Sequence, residues 1–293
     1  MKIKVLLTIL LLNGCFMPCT AAEYGVARTL TPVLNVPDFR AVFRGGDGHG
    51  VKTDRCGQIR ELEFVAMPGS VFTIIKKHLS GTDVIYQVET NEYAAQPNVR
   101  LYVGGRFLTL EHTAPAPRRP VLPPQATLLS ALREAAGIPY VWGGNAPDGV
   151  PELAAWFHET SGGHNNNRLT LTGVDCSGLL YFASGGWTPR NTNQLITIGN
   201  GVEIAGKQSS EIAPLLQPLD LIVWKGHVII VLDRQTVIES RLECGKPGNG
   251  GVVMTFLPQR LTEIMRTRRP ANAWPQGKTR QDIFLVRRWY NQK

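Results

Sequence analysis

Five prolines fall within the eleven residues 114–124, and neither a helix nor an interior strand can run through such a stretch. The stretch favours an extended, semi-rigid connector, and a domain boundary between two blocks is placed there. The chain's 293 residues are enough for two modest domains, each with a core. A hydrophobic content of 43% with 30 glycines describes a folded, turn-rich protein rather than a disordered one.

The first 22 residues are set apart from both blocks. Lys2 and Lys4 precede an apolar run over residues 5–12, and small residues follow up to Ala22, the three-part layout of a secretory signal. The run is too short to span a bilayer as a mature helix. Two processing sites compete: simple cleavage after Ala22, or a lipoprotein box in which Cys15 becomes a lipidated first residue. Either way the reading is export to the periplasm or cell envelope, with residues 23–113, 114–124 and 125–293 as first block, connector and second block.

Cleavage after Ala22 leaves Cys56, Cys176 and Cys244, an odd number for an oxidising compartment. A Cys56–Cys244 disulfide is compatible with that count and would leave Cys176 free, but spacing alone does not assign it. There is no CxxC pair and no HExxH stretch, which argues against a structural zinc site or a zinc peptidase. The net charge of +8 is scattered and forms no nucleic-acid stripe; an anionic wall polymer is the better partner.

Residues 50–112 read as short apolar runs cut by turns, at 61–67, 71–76, 84–89, 99–103 and 107–110. That spacing predicts a small β-barrel, and the pieces RELEF, PGSVFTII and LYVGGRFL resemble a bacterial SH3-like domain. Residues 23–49 either complete this barrel or begin a second one.

In the second block a helical stripe over 125–136 is followed by PYVWGGN and an irregular insert at 148–168. Then comes VDCSGLLYF. Asp175 can cap a helix whose first turn holds Cys176, with Gly185 and Gly186 ending it. A thiol at that end meets unpaired amides and the positive end of the dipole, which favour thiolate and hence nucleophilic chemistry. A buried inert cysteine is the bland alternative.

A nucleophilic thiol needs a base, and the base needs an orienting group. His49, His78 and His112 fall in the first block, and His158 and His164 in the insert; His227 opens the apolar strand HVIIVL. If residues 233–235 form a three-residue hairpin loop, Ile229 opposes Glu239 and His227 lies diagonal to it on one face. A two-residue loop would turn Glu239 away.

The runs GIPYVWGGN, VDCSGLLYF, TPRNTNQ, LDLIVWKGHVIIVLDRQTVIES and FLVRRW occur in an order that resembles the NlpC family of murein peptidases, which are papain-like cysteine endopeptidases. The resemblance covers residues 127–289 and implies an α+β catalytic domain, its cysteine-bearing helix packed on an antiparallel sheet behind an SH3-like module. It implies Cys176 as nucleophile, His227 as general base and Glu239 as orienting carboxylate, at a position where the family often carries His. It further implies that Tyr140, Asp175, Ser177, Arg190 and Asn191 contact or shape the substrate site. Asn191 stands where members that grip a free peptide amine carry Asp, and Trp142 reads as a core aromatic.

The implied activity is peptidoglycan hydrolysis within the stem peptide, at the γ-D-glutamyl-diaminopimelate bond, with no metal or organic cofactor. The alternatives are an N-acetylmuramoyl-L-alanine amidase and a wall-binding protein with an inactive peptidase fold.

Overall fold

A computed structural model describes residues 23–44, 50–157, 168–275 and 282–290. The expected signal with Cys15 lies outside these residues, as do His49, His158 and His164. No helix among the described residues is long and apolar enough to cross a membrane.

The first block contains β1 (Glu23–Ala27), β2 (Thr31–Leu34), the short helix α1 (Phe39–Phe43), β3 (Leu62–Ala66), β4 (Val71–Ser80), β5 (Asp83–Glu89), β6 (Leu101–Gly104) and β7 (Leu108–Glu111). The part of the sequence hardest to read thus supplies two strands and a helix to the same sheet. Asp38 caps α1 by accepting from the Ala41 amide at 3.0 Å, and Phe39 and Phe43 are buried against Phe64, Phe72 and Phe107.

The strands run antiparallel in the order β3-β2-β6-β5-β4-β1-β7, and this corrects the expected barrel. Among the described residues no sheet closes, because β3 and β7 remain edges. The edge of β3 meets the second block instead of β7. Asn145 from that block offers its amide to the strand backbone, accepting from Val65 N at 3.1 Å and donating to Val65 O at 2.8 Å. A side-chain amide thus takes the hydrogen bonds that a closing strand would make.

The connector at 114–124 has no regular element. Arg118 ties it to both sides: its guanidinium bonds Glu92 at 2.9 and 3.0 Å and the carbonyls of Gly185 and Gly186 at 3.1 and 3.2 Å.

The second block begins with α2 (Gln125–Glu134), β8 (Asn145–Ala146), α3 (Pro151–Phe157), β9 (Gly173–Val174), α4 (Cys176–Ala183), α5 (Thr192–Leu195), β10 (Asn200–Gly201) and α6 (Ser209–Ile212). It continues with β11 (Leu221–Trp224), β12 (His227–Val231), β13 (Thr236–Leu242), β14 (Gly250–Phe256), α7 (Leu257–Met265), β15 (Arg269–Pro270) and β16 (Ile283–Arg288). The sheet order is β10-β16-β11-β12-β13-β14, all antiparallel, with β15 parallel beside β16. The class is α+β.

Both faces of this sheet are covered, which is why its strands read as continuous apolar runs. Val228 and Ile230 pack in one cluster with Leu179 and Leu180 of α4 and Leu128 and Leu132 of α2. Ile229 and Val231 pack in another with Ile212 of α6 and Leu257, Leu261 and Ile264 of α7. Leu179 and Leu180 are fully buried, each contributing on the order of 1.5–3 kcal/mol. Gly178 lets α4 approach the loop beneath it; a Cβ there would stand 1.9 Å from Gly144 O.

The insert contributes to the first block's core. Leu153 of α3 is buried in that cluster, Phe157 lies 5.3 Å from Phe43, and Trp156 lies edge-on to Phe107 at 4.6 Å. Cys56 and Cys244 form a disulfide across the two blocks, with Cα atoms 4.9 Å apart and a sequence separation of 188. Cys176 is the free cysteine among the described residues.

Candidate active site

Cys176 is the first residue of α4, and Asp175 caps that helix by accepting from the Gly178 amide at 2.6 Å. The Cys176 amide has no helical carbonyl one turn back to bond, which leaves a donor beside the sulfur. The thiol is buried at 7% exposure and reaches the Gly226 carbonyl at 3.9 Å.

His227 follows the two-residue turn 225–226 as the first residue of β12, so its ring sits at the end of the strand, where it can meet the start of α4. The pairs Ile230↔Ile238 and Val231↔Val237 set the register with β13, and Leu232 N bonds Thr236 O at 2.9 Å. The hairpin loop is therefore the three-residue one, and continuing the register puts Ile229 opposite Glu239. The diagonal contact follows: His227 Nε2 and Glu239 Oε2 are 2.6 Å apart. Cys176 lies near enough to act electrostatically on the ring, and its sulfur is in contact with the carbonyl of Gly226, the residue before His227.

Electrostatics bind the three groups. Burial pushes the His227 pKa down, but hydrogen bonds to Cys176 and Glu239 and their charges outweigh it and raise it from 6.5 to about 9. Burial would raise Glu239, yet its bonds to His227 and Arg260 bring it from 4.5 to about 2. Glu239 is fully buried, and Arg260 of α7 holds it by two bonds, Nε to Oε1 at 2.6 Å and Nη2 to Oε2 at 3.0 Å. The sequence reading missed Arg260. Its signal was legible: LPQRLTEIM has Pro258 in the first turn and Leu257, Leu261 and Ile264 at helical spacing, which makes a helix and leaves Arg260 off the apolar stripe.

A cleft of about 400 Å³ opens on Cys176. Tyr140, Trp142 and Asn191 line it from the second block, and Arg60, Glu63 and Tyr93 from the first. The Tyr140 pKa is raised by burial and by the nearby Asp175 and Cys176 charges, so its hydroxyl keeps its proton. Trp142 is no core aromatic: it is 41% exposed, and the Arg60 guanidinium lies 4.4 Å from its ring centroid. Glu63 accepts from Asn35 at 2.8 Å and from the Tyr93 hydroxyl at 2.7 Å. None of the first-block residues was identifiable from sequence, because only the docking of the two blocks brings them to the cysteine.

Asp175, Ser177 and Arg190 form a closed network beneath the thiol. Arg190 is 1% exposed and gives its donors to Asp175 at 2.8 and 3.0 Å, Ser177 at 2.9 Å, Asn145 at 3.1 Å and Gly144 O at 3.1 Å. The geometry gives Arg190 a different part from the substrate contact expected of it: it positions the helix cap, and all five of its N–H groups are engaged. Asn191 also bonds within the protein, donating to Ala94 O at 2.7 Å. Among the described residues no group of three or more His, Cys, Asp and Glu side chains can hold a metal ion.

No family model matches the chain, and no curated protein matches it. Among solved structures it is similar to a NlpC/P60 family protein from Bacillus cereus ATCC 10987, with a TM-score of 0.33 and 14% identity over 92% of this chain and 64% of that one. It thus spans less than two thirds of that relative's length. It is likewise similar to NlpC2 from Trichomonas vaginalis, with a TM-score of 0.30 and 12% identity over 92% of this chain and 74% of that one.

Proposed function

We propose that the protein is an exported cysteine peptidase that hydrolyses an amide bond in the peptidoglycan stem peptide, at γ-D-glutamyl-diaminopimelate. The observation that carries this reading is the pairing of His227 Nε2 with the buried Glu239 carboxylate at 2.6 Å, one residue along from the Gly226 carbonyl that the Cys176 sulfur meets. Support for the substrate comes from the five ordered sequence runs that resemble murein peptidases.

The Glu239 carboxylate favours the imidazolium form of His227, so the imidazole can hold the proton that the Cys176 sulfur gives up as it attacks. Attack on the scissile carbonyl forms a C–S bond and a tetrahedral oxyanion. The Cys176 amide is placed to donate to that oxygen, and the Tyr140 hydroxyl, still protonated, is a second candidate donor. Collapse breaks the C–N bond while His227 gives its proton to the leaving amine. His227, now neutral, takes a proton from water, which attacks the thioester and releases the acid.

The test is digestion of stem peptides and intact sacculi by the wild type and Cys176→Ala, read by mass spectrometry. Cleavage after D-glutamate by the wild type alone is the expected outcome. Release of whole peptides from glycan would make the protein an amidase, and binding without any product would make it a wall-binding module.

A further inference from the structure

We infer that Arg60, supplied by the first block, recognises a free α-carboxylate on the acyl side of the scissile bond, and so selects γ-linked glutamyl substrates. The inference rests on the peptidase reading and deepens it. Arg60 stands on the cleft wall with its side chain 39% exposed. Its Nε bonds Asp54 at 2.6 Å and its plane lies over Trp142, which together fix the guanidinium. The two terminal amino groups have no hydrogen bond to protein among the described residues, and they are the fork that matches a carboxylate. Its charge also reaches the reacting centre, since Arg60 acts electrostatically on Tyr140 beside Cys176.

The side of the substrate follows from the base. His227 must protonate the leaving amine, and His227 does not line this cleft, whereas Arg60, Glu63 and Tyr93 do. The leaving half therefore lies toward His227 and the acyl half lies in the cleft. A glutamate joined through its γ-carbonyl keeps its α-carboxylate free on that half. An ordinary α-linked residue of the peptide has no carboxylate on its backbone there.

Three peptides distinguish the sources of such a carboxylate: one with D-glutamate, one with the α-carboxamide D-isoglutamine, and one with amidated diaminopimelate on the leaving side. The full chain is expected to cleave the D-glutamate peptide with kcat/KM about tenfold above the isoglutamine peptide, the worth of one charge-assisted bond. Arg60→Gln should remove that preference by losing activity on the glutamate peptide alone, chiefly in KM. Arg60→Lys, which keeps the charge without the fork, should restore part of it. Equal cleavage of glutamate and isoglutamine peptides by the wild type would overturn the inference and leave the peptidase reading standing. So would an Arg60→Gln loss that is uniform across the peptides, which marks a merely structural shelf, or one confined to discrimination of the amidated diaminopimelate. No cleavage of any peptide would sink the peptidase reading and the inference with it.

Discussion

Glu239 and Arg260 meet in a two-bond ion pair, while Oε2 of the same carboxylate lies 2.6 Å from His227. One buried group thus has His227, Arg260 and, at 3.8 Å, Arg241 around it, and Arg260, with the two short bonds, decides how firmly the carboxylate holds the imidazole. Replacing Arg260 by Met leaves Glu239 buried with a weaker set of donors. Loss of one member of such a pair costs on the order of 3 kcal/mol, so a fall of several degrees in melting temperature is expected. Because Arg260 does not touch the thiol, kcat should fall with little change in KM, and the alkaline limb of the pH profile should move. An unchanged pH profile would reduce Arg260 to a packing role.

The pH dependence follows from the two shifts. His227 is raised from 6.5 to about 9, so the imidazolium stabilises the folded site fully below about pH 6.5, and that contribution is lost as pH rises through about 9. Glu239 is lowered from 4.5 to about 2, so its contribution is complete above about pH 4.5 and is lost as pH falls toward 2. The alkaline limb of kcat/KM should therefore have an apparent midpoint near 9, belonging to the coupled pair. Glu239→Gln should draw that midpoint down toward 6.5, which a pH–rate series measures directly.

Arg190→Met tests the network beneath the nucleophile. The substitution leaves the Asp175 carboxylate without its cationic partner and takes one donor each from Asn145 Oδ1 and Ser177, in a site where the arginine is 1% exposed. A destabilisation of about 3–5 kcal/mol is expected in a denaturant melt, with a lost helix cap and a misplaced thiol. Free binding of substrate through Arg190 would predict instead a raised KM at unchanged stability.

The Cys56–Cys244 bond links positions 188 apart in sequence. Chain entropy assigns such a closure up to about 5 kcal/mol. It also anchors the segment in which Gln58 accepts from the Trp142 amide at 2.9 Å and Arg60 covers the Trp142 ring. Serine at both positions should lower the melting temperature and raise KM more than it lowers kcat. Equal effects on both constants would show that the disulfide serves the fold alone.

Local chemistry made part of this protein readable without coordinates. The Asp175 cap, the helix behind Cys176 and the odd hairpin loop that sets His227 diagonal to Glu239 depend on neighbours a few residues apart, where propensity and the two-residue pleat leave few choices. The strands of the first block were legible for the same reason, through alternating runs and turn residues.

Their closure was not. An open sheet and a barrel need the same strands, and what separates them here is Asn145, which lies 80 residues from Val65 and takes its edge hydrogen bonds. Arg260 and Arg60 reached the site the same way, one from a helix on the far face of the sheet and one from the other block. Long-range partners of this kind are selected by the packing of whole surfaces, and a pattern of residue types along the chain carries no record of which surfaces will meet.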